Sequence, residues 1–412
     1  MTKNQILTKK RWGTLFAACI INMMIGTGYA WSMFVTPLNE HFGGDAMGTL
    51  TWAFTLANSL APIPMILGGY VNDKFGPKWA IFTGGLLFGG GVFIAGCAVN
   101  PLMVVIGYGV IMGQGMGLIY SCTIGNSIKF FPDKAGMVGG LTTATYGLGS
   151  ILLPLIIKNI VNADTVLSTF KVLGIVYLAV ICIGSFFILR APSNFIPDGW
   201  TPPVKDNGGQ VESKNFKEML ADKSFWIMMA MMMCGATMGL MLISNCRGIV
   251  TTAIMGGGNT PTVITAAATT VTLLALFNAI GRVACGSISD KIGRVNTITI
   301  MLLIGLGGLF ILLNTGEGQL MMFRVGVALV GLSFGAFMGV YPGFCADQFG
   351  PANNSVNYGI MFSGFALAGI IGPKIMINFE SPYHQAYMVA MGLACIGLVM
   401  SFIYRAFNRS NR

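Results

Sequence analysis

Charge is what this chain is short of. Only 9% of its 412 residues are Asp, Glu, Lys or Arg, and the acids number 14. A water-soluble domain carries roughly a quarter of its residues as charges, so water alone cannot solvate this surface. Histidine is scarcer still, with His41 and His384 the two in the chain. That leaves a membrane enzyme without a nucleophile and base, and leaves no cluster of metal ligands; no metal and no cofactor are expected. The nine cysteines, among them Cys97, Cys182 and Cys395, stand singly in apolar runs. They carry no metal spacing and no disulfide framework and read as small buried hydrophobes. No cleavable signal peptide is expected, because the first apolar run is too long for one.

What the chain has instead is apolar length. Hydrophobic residues make up 54% and the mean hydropathy is +0.73, so lipid is the expected covering. Its length allows about a dozen spans of ~20 residues. Twelve apolar segments can be read at 13–37, 48–70, 79–99, 102–128, 135–157, 166–189, 225–247, 262–287, 296–314, 319–345, 356–377 and 385–405. One long polar stretch, Arg190 to Lys223, holds Pro192, Pro197, Pro202, Pro203, Gly208 and Gly209 and charges of both signs. It reads as a linker that ends in a short amphipathic helix near Phe216–Lys223. The expectation is an all-α membrane protein of 12 transmembrane helices. A six-helix bundle over 1–190 and a second over 225–412 are joined by a cytoplasmic linker, 191–224.

Basic residues orient the spans. With the amino terminus inside, 18 of the 24 Lys and Arg fall on inner positions, such as Lys9, Lys10, Arg11, Lys74, Lys129, Lys134 and Lys291. Lys158, Lys171, Arg247, Arg324 and Lys374 fall on outer ones, and Arg282 lies between. The positive-inside rule then puts both termini in the cytoplasm. It also accounts for the net charge of +10 without a nucleic-acid partner, since no stacking platform accompanies the bases.

A repeat relates the two halves. "YVNDKFGPKW" (70–79) follows the second segment and "SISDKIGRVN" (287–296) the eighth. Each is Asp-Lys-x-Gly with another base close behind, so Asp73 with Lys74 matches Asp290 with Lys291 and Arg294. Such a string suits a tight cytoplasmic turn: glycine takes unusual backbone angles, and the carboxylate can meet a helix amino terminus or a base. The segment count, the linker and the paired loops together resemble the major facilitator superfamily. "FFPDKAG" (130–136), "TYGLGS" (145–150) and "NYGIMFSGFALAGIIGP" (357–373) narrow the resemblance to its oxalate/formate antiporter family, bacterial relatives of monocarboxylate transporters. The resemblance implies two six-helix bundles of the major facilitator fold rocking about a central site. It also implies a bacterial or archaeal cytoplasmic membrane and a chain acting as a monomer among lipid, with Asp73, Lys74, Asp290, Lys291 and Arg294 in gating loops.

Arg282 is the residue that composition does not explain. It lies eight residues before Asp290 in "LALFNAIGRVACGSISDKIGR" (274–294), hence ~12 Å up a helix from the polar turn. A charge there costs about 2.5–3.5 kcal/mol on insertion scales. Snorkelling over that distance is long, and no acid shares its segment. A guanidinium fork matches a carboxylate in two-point fashion, so a small anion is the expected partner. Asn278, four residues earlier, shares its helix face. Tyrosine hydroxyls can hold carboxylate oxygens while their rings pack on a short carbon chain. The resemblance selects Tyr29, Tyr120 and Tyr146 beside Arg282, and Phe334 and Phe362 replace bulkier aromatics at similar positions. It also implies a lysine on segment eleven for oxalate carriers. The matching position here is Phe365, and Lys374 lies nine residues further on. One fixed cation should prefer one carboxylate, so lactate, pyruvate, formate or acetate is expected rather than oxalate.

Coupling is left open. No acid lies at the centre of a segment: Asp347 is at an inner end, Glu380 at an outer end, and Asn278 stands where eukaryotic relatives carry an acid. Proton symport and anion exchange both remain. The rival readings are a membrane enzyme, a cation or drug exporter, which would want an acid in its cavity, and a carboxylate sensor of the same fold.

Overall fold

The apolar runs become helices because a bilayer span must satisfy its own backbone, and proline and glycine set where they stop. The computed structural model describes residues 3–157, 160–192, 195–201, 213–257, 260–379 and 383–410, and the regular elements among them are all helical. Much of the expected linker, 202–212, lies outside the described residues, as do Lys158, Glu380 and the side chain of Tyr29. We label the long segments α1 (Lys3–Gly26), α2 (Met47–Phe75), α3 (Pro77–Gly96), α4 (Pro101–Phe130), α5 (Pro132–Ile157), α6 (Val166–Ser185), α7 (Lys223–Ile254), α8 (Pro261–Ile292), α9 (Arg294–Leu313), α10 (Leu320–Phe349), α11 (Asn354–Met376) and α12 (His384–Phe407). Pro77, Pro101 and Pro261 open α3, α4 and α8 at a position where a missing N–H costs nothing. The carbonyl oxygen of the Asn100 side chain caps α4 by accepting from Met103 N at 2.9 Å. The expected amphipathic piece before α7 is Phe216–Ala221.

Eleven of the twelve, α2 to α12, are long and apolar enough to cross a membrane. The first departs from the single run expected at 13–37. It begins near Lys3, breaks into a 3-10 turn at Thr27–Trp31 and resumes as Ser32–His41. The early start has a cause outside the apolar pattern. Arg11 is buried: its Nη1 and Nη2 donate to the two carboxylate oxygens of Asp133 at 2.6 and 3.0 Å, and Nη1 also donates to Phe130 O at 3.1 Å. The guanidinium lies 4.3 Å from the Phe131 ring centre. A polar prefix is thus folded as helix by the "FFPD" corner.

By internal packing the chain forms two units. The first comprises Met1–Val138, Thr145–Phe216 and Cys345–Ile360, and the second Gly139–Ala144, Lys217–Phe344 and Met361–Arg412. Small residues let helices approach closely in both. In the first, a Cβ on Gly89 would lie 2.6 Å from Leu178 N, and one on Gly174 2.6 Å from Phe93 N, so α3 and α6 meet backbone to backbone. In the second, α7 turns inward the side chains of Met228, Met231, Met232, Met238 and Met241, all fully buried. There α8 and α10 touch through Gly281 against Leu332 O, Gly335 against Asn278 O and Gly339 against Arg282 O. Gly339→Ala is expected to cost about 1–3 kcal/mol by overpacking, because its methyl would lie 2.8 Å from Arg282 Cα with backbone on the far side. A melting curve of the detergent-solubilised variant checks this; an unchanged midpoint would contradict it.

Candidate functional site: a buried guanidinium on α8

Helix α8 places Arg282 ten residues before its end at Ile292, ~15 Å along the axis. The residue is only 4% exposed. Its Nε donates to Asn278 Oδ1 at 3.1 Å, the contact that four-residue spacing predicts. Its Nη1 donates to Thr143 O on α5 at 2.6 Å. The Arg282 carbonyl is itself boxed in by Gly140 of α5 and Gly339 of α10, so the backbone beneath the side chain has little freedom. Among the described residues no Asp or Glu lies within ion-pair reach of the guanidinium. By accepting through Oδ1, Asn278 keeps its Nδ2 protons as donors, and among the described residues these make no bond. The pair therefore presents positive charge and spare N–H groups with no anion to match, in surroundings where a lone charge is costly.

The predicted aromatic residues fall into two sets. Phe334, Phe362 and Phe365, in the second unit, form a continuous stack: Phe362 and Phe365 are 4.5 Å apart and Phe334 and Phe365 6.2 Å, both near parallel. Gly239 of α7 lies against the Phe334 ring. Tyr120 and Tyr146, in the first unit, meet edge to face at 5.1 Å, and the Tyr146 hydroxyl donates to Met116 Sδ at 3.1 Å. Both are nearly buried. Tyr29 lies on the 3-10 turn that interrupts the first segment. Tyr341 of α10 is committed to packing: it is fully buried and its hydroxyl donates to Met228 O at 2.9 Å.

The paired Asp-Lys-x-Gly strings take a different form from the loops expected. Asp73 and Lys74 sit on the last turn of α2, and Asp290 and Lys291 on the last turn of α8. The turn itself is the glycine, Gly76 at φ +98° and Gly293 at φ +90°. The helices run on because each Asp finds a partner at the helix end. Asp73 pairs with Lys129 of α4 at 2.6 Å, both side chains 8% exposed, and its other oxygen accepts from Val356 N at 3.2 Å. That carboxylate thus faces the first turn of α11, where a negative charge is favoured. Beside it, Asn72 Nδ2 donates to Ser355 Oγ at 2.6 Å, and Gly69 leaves room for the Ser355 backbone. Asp290 pairs instead with Arg294, at 2.7 Å across the turn, and Arg294 also donates to Ser289 Oγ at 2.6 Å. Lys74 donates to the Tyr70 hydroxyl at 3.2 Å and lies over the Phe75 ring, and Lys291 is exposed. The end of the linker straps the same corner of the first unit: Lys214 N donates to Phe349 O, and its carbonyl accepts from Asn353 and Asn357.

The sequence matches the Major Facilitator Superfamily over residues 15–373. The chain belongs to this superfamily. It is therefore a multi-pass membrane transporter, and the family is one of carriers rather than enzymes. Among curated relatives of this superfamily member, the MFS-type transporter YhjX of Escherichia coli is 27% identical over 88% of this chain and 86% of its own length. The oxalate:formate antiporter of Oxalobacter formigenes is 27% identical over 93% of this chain and 88% of its own. Monocarboxylate transporter 9 of Mus musculus is 21% identical over 42% of this chain. Solved structures agree on the fold. The fucose:proton symporter FucP of E. coli superposes with a TM-score of 0.68 at 13% identity over 95% of this chain and 98% of its own. The proton:xylose symporter XylE gives 0.67 at 16% identity over 97% and 96%.

Several residues around the site escaped sequence reasoning. The Thr143 carbonyl is a backbone acceptor, which any residue supplies. Gly331, Gly335 and Gly339 recur every four residues on α10, a stripe on one helix face that could have marked where α8 docks. Lys129 and Asp133 belong to the "FFPDKAG" neighbourhood, but their partners Asp73 and Arg11 lie 56 and 122 residues away.

Proposed function

We propose that this transporter carries small carboxylate anions, and specifically a monocarboxylate such as lactate, pyruvate, formate or acetate, by alternating access across a bacterial or archaeal cytoplasmic membrane. The observation that carries the reading is the buried Arg282 guanidinium with no carboxylate partner among the described residues. In this reading the arginine and the Asn278 amide grip the carboxylate. Hydroxyls of Tyr29, Tyr120 and Tyr146 take its remaining oxygen, and the Phe334–Phe365–Phe362 stack packs against the carbon end. The bundles 1–190 and 225–412 rock about that site while the linker, 191–224, keeps them together, and both termini stay in the cytoplasm. A monomer suffices.

Oxalate–formate exchange is the second reading, favoured by the full-length similarity to the O. formigenes antiporter. Against it stands Phe365, held in an aromatic stack at the position where the resemblance implies a second cation. Proteoliposomes loaded with labelled lactate or labelled oxalate separate the two. Lactate uptake without oxalate exchange is expected, and vigorous oxalate exchange without monocarboxylate uptake would end the proposal. Phe365→Lys is expected to shift the ratio of oxalate to lactate uptake by roughly tenfold or more, the effect of one added charge-assisted bond. Uptake driven by an inward proton gradient, with no anion inside, identifies symport; uptake that requires internal anion identifies exchange. A sensor of the same fold would bind and not accumulate the acid in either assay.

A further inference from the structure

The first unit holds a cavity of about 10 Å³ far from the Arg282 cluster in sequence, and its walls are unusual. On one side is the 3-10 break in the first segment, Thr27–Trp31. On another is Val105–Met112 of α4, which is wound as π-helix, a form that concentrates at working sites in helices. Two phenols face the space, Tyr108 at 3% and Tyr177 at 4% exposure. The Tyr108 hydroxyl is satisfied, donating to Gly28 O at 3.0 Å. The Tyr177 hydroxyl is buried and, among the described residues, makes no hydrogen bond of good geometry, with the Thr27 hydroxyl as its side-chain neighbour. Thr27 also lines the cavity, but its hydroxyl proton is spent on Met24 O at 2.6 Å.

We propose that this cavity is a site for one structural water molecule, which accepts from the Tyr177 hydroxyl and donates to oxygens of the break. The volume matches a single water, which needs roughly 10–15 Å³ and two to four polar partners. The donor is Tyr177. Acceptors are the Thr27 hydroxyl oxygen, the second lone pair of the Gly28 carbonyl and the Tyr108 oxygen. No charged side chain lines the space, so a metal cation or a free anion finds no counter-charge there. A phenol left unpaired in a dry cavity carries the full desolvation cost of its hydroxyl, and the water removes it. The water also closes a gap that the backbone leaves open, because a helix that stops at Gly26 and restarts at Ser32 frees carbonyls that need donors. The interruption that carries Tyr29 is thus held by solvent together with the Tyr108 hydroxyl. This inference does not depend on which solute the protein carries.

Hydroxyl-radical labelling of the full chain in nanodiscs tests it, because radicals generated from a trapped water modify the side chains beside it even when these are buried. Tyr108 and Tyr177 are expected to label far faster than Tyr341, which is fully buried, bonded to Met228 O and away from the cavity. In Tyr177→Phe the Tyr108 labelling is expected to fall and the melting midpoint to drop. Labelling of Tyr108 and Tyr177 no faster than Tyr341 would overturn the proposal. So would a raised midpoint in Tyr177→Phe, the response of a dry cavity relieved of an unpaired hydroxyl.

Discussion

Arg282→Gln is expected to reach the membrane, fold and carry no measurable carboxylate. The guanidinium donates two hydrogen bonds inside the protein, to Asn278 and Thr143, and no acid among the described residues is left unneutralised when its charge goes. Removing it therefore breaks no ion pair, and the melting midpoint should stay within a few degrees of wild type. Binding is another matter. A carboxylate held through two charge-assisted bonds gains about 1.5–3 kcal/mol from each. Losing both costs at least about a hundredfold in affinity at tenfold per 1.4 kcal/mol. Arg282→Lys keeps the charge but replaces a planar fork with a point, so it should fall between the two. Uptake and thermal stability measured on the same preparations separate loss of binding from loss of fold. Wild-type uptake by Arg282→Gln would remove the basis of the carboxylate proposal.

Asp73→Ala should produce the largest loss of stability. The substitution strands the Lys129 ammonium in a place where its side chain is 8% exposed, and breaking a buried pair in this way costs about 3–5 kcal/mol. It also removes the acceptor for Val356 N and the negative charge at the start of α11, worth about 0.3–1 kcal/mol more. Asp73→Asn keeps an acceptor and should lose less. The double variant Asp73→Ala with Lys129→Ala leaves no orphan charge and should recover much of the difference. Melting curves of the four proteins give the order directly. A double variant no better than Asp73→Ala alone would mean that the pair is not what holds this corner.

The fold was legible because composition and bilayer physics leave few choices. Eleven spans fall where apolar runs of sufficient length predict them. The exception, α1, shows what hydropathy does not register: Lys9, Lys10 and Arg11 look like a polar lead-in, yet Arg11 is helical and buried because Asp133 neutralises it. The helix ends were misjudged for the same reason. Asp73 and Asp290 look like loop residues until their partners are known, and those partners come from distant helices or from across the turn. At the site, Arg282 stood out as a charge in the wrong solvent, and Asn278 followed from helical spacing. Thr143 and the glycines of α5 and α10 could not be found in this way, since a carbonyl oxygen has no residue code and a missing Cβ matters only when the neighbouring helix is known.

The inward face of α7 has one more implication. Met228, Met231, Met232, Met238 and Met241 are sealed from solvent while the second unit is closed, and thioethers are readily oxidised to sulfoxides once peroxide reaches them. Each oxygen added there converts a pliant apolar chain into a polar one that no longer fits. The row is thus an internal recorder of breathing: the rate at which these sulfurs gain oxygen under dilute peroxide counts how often the unit loosens, with no label attached.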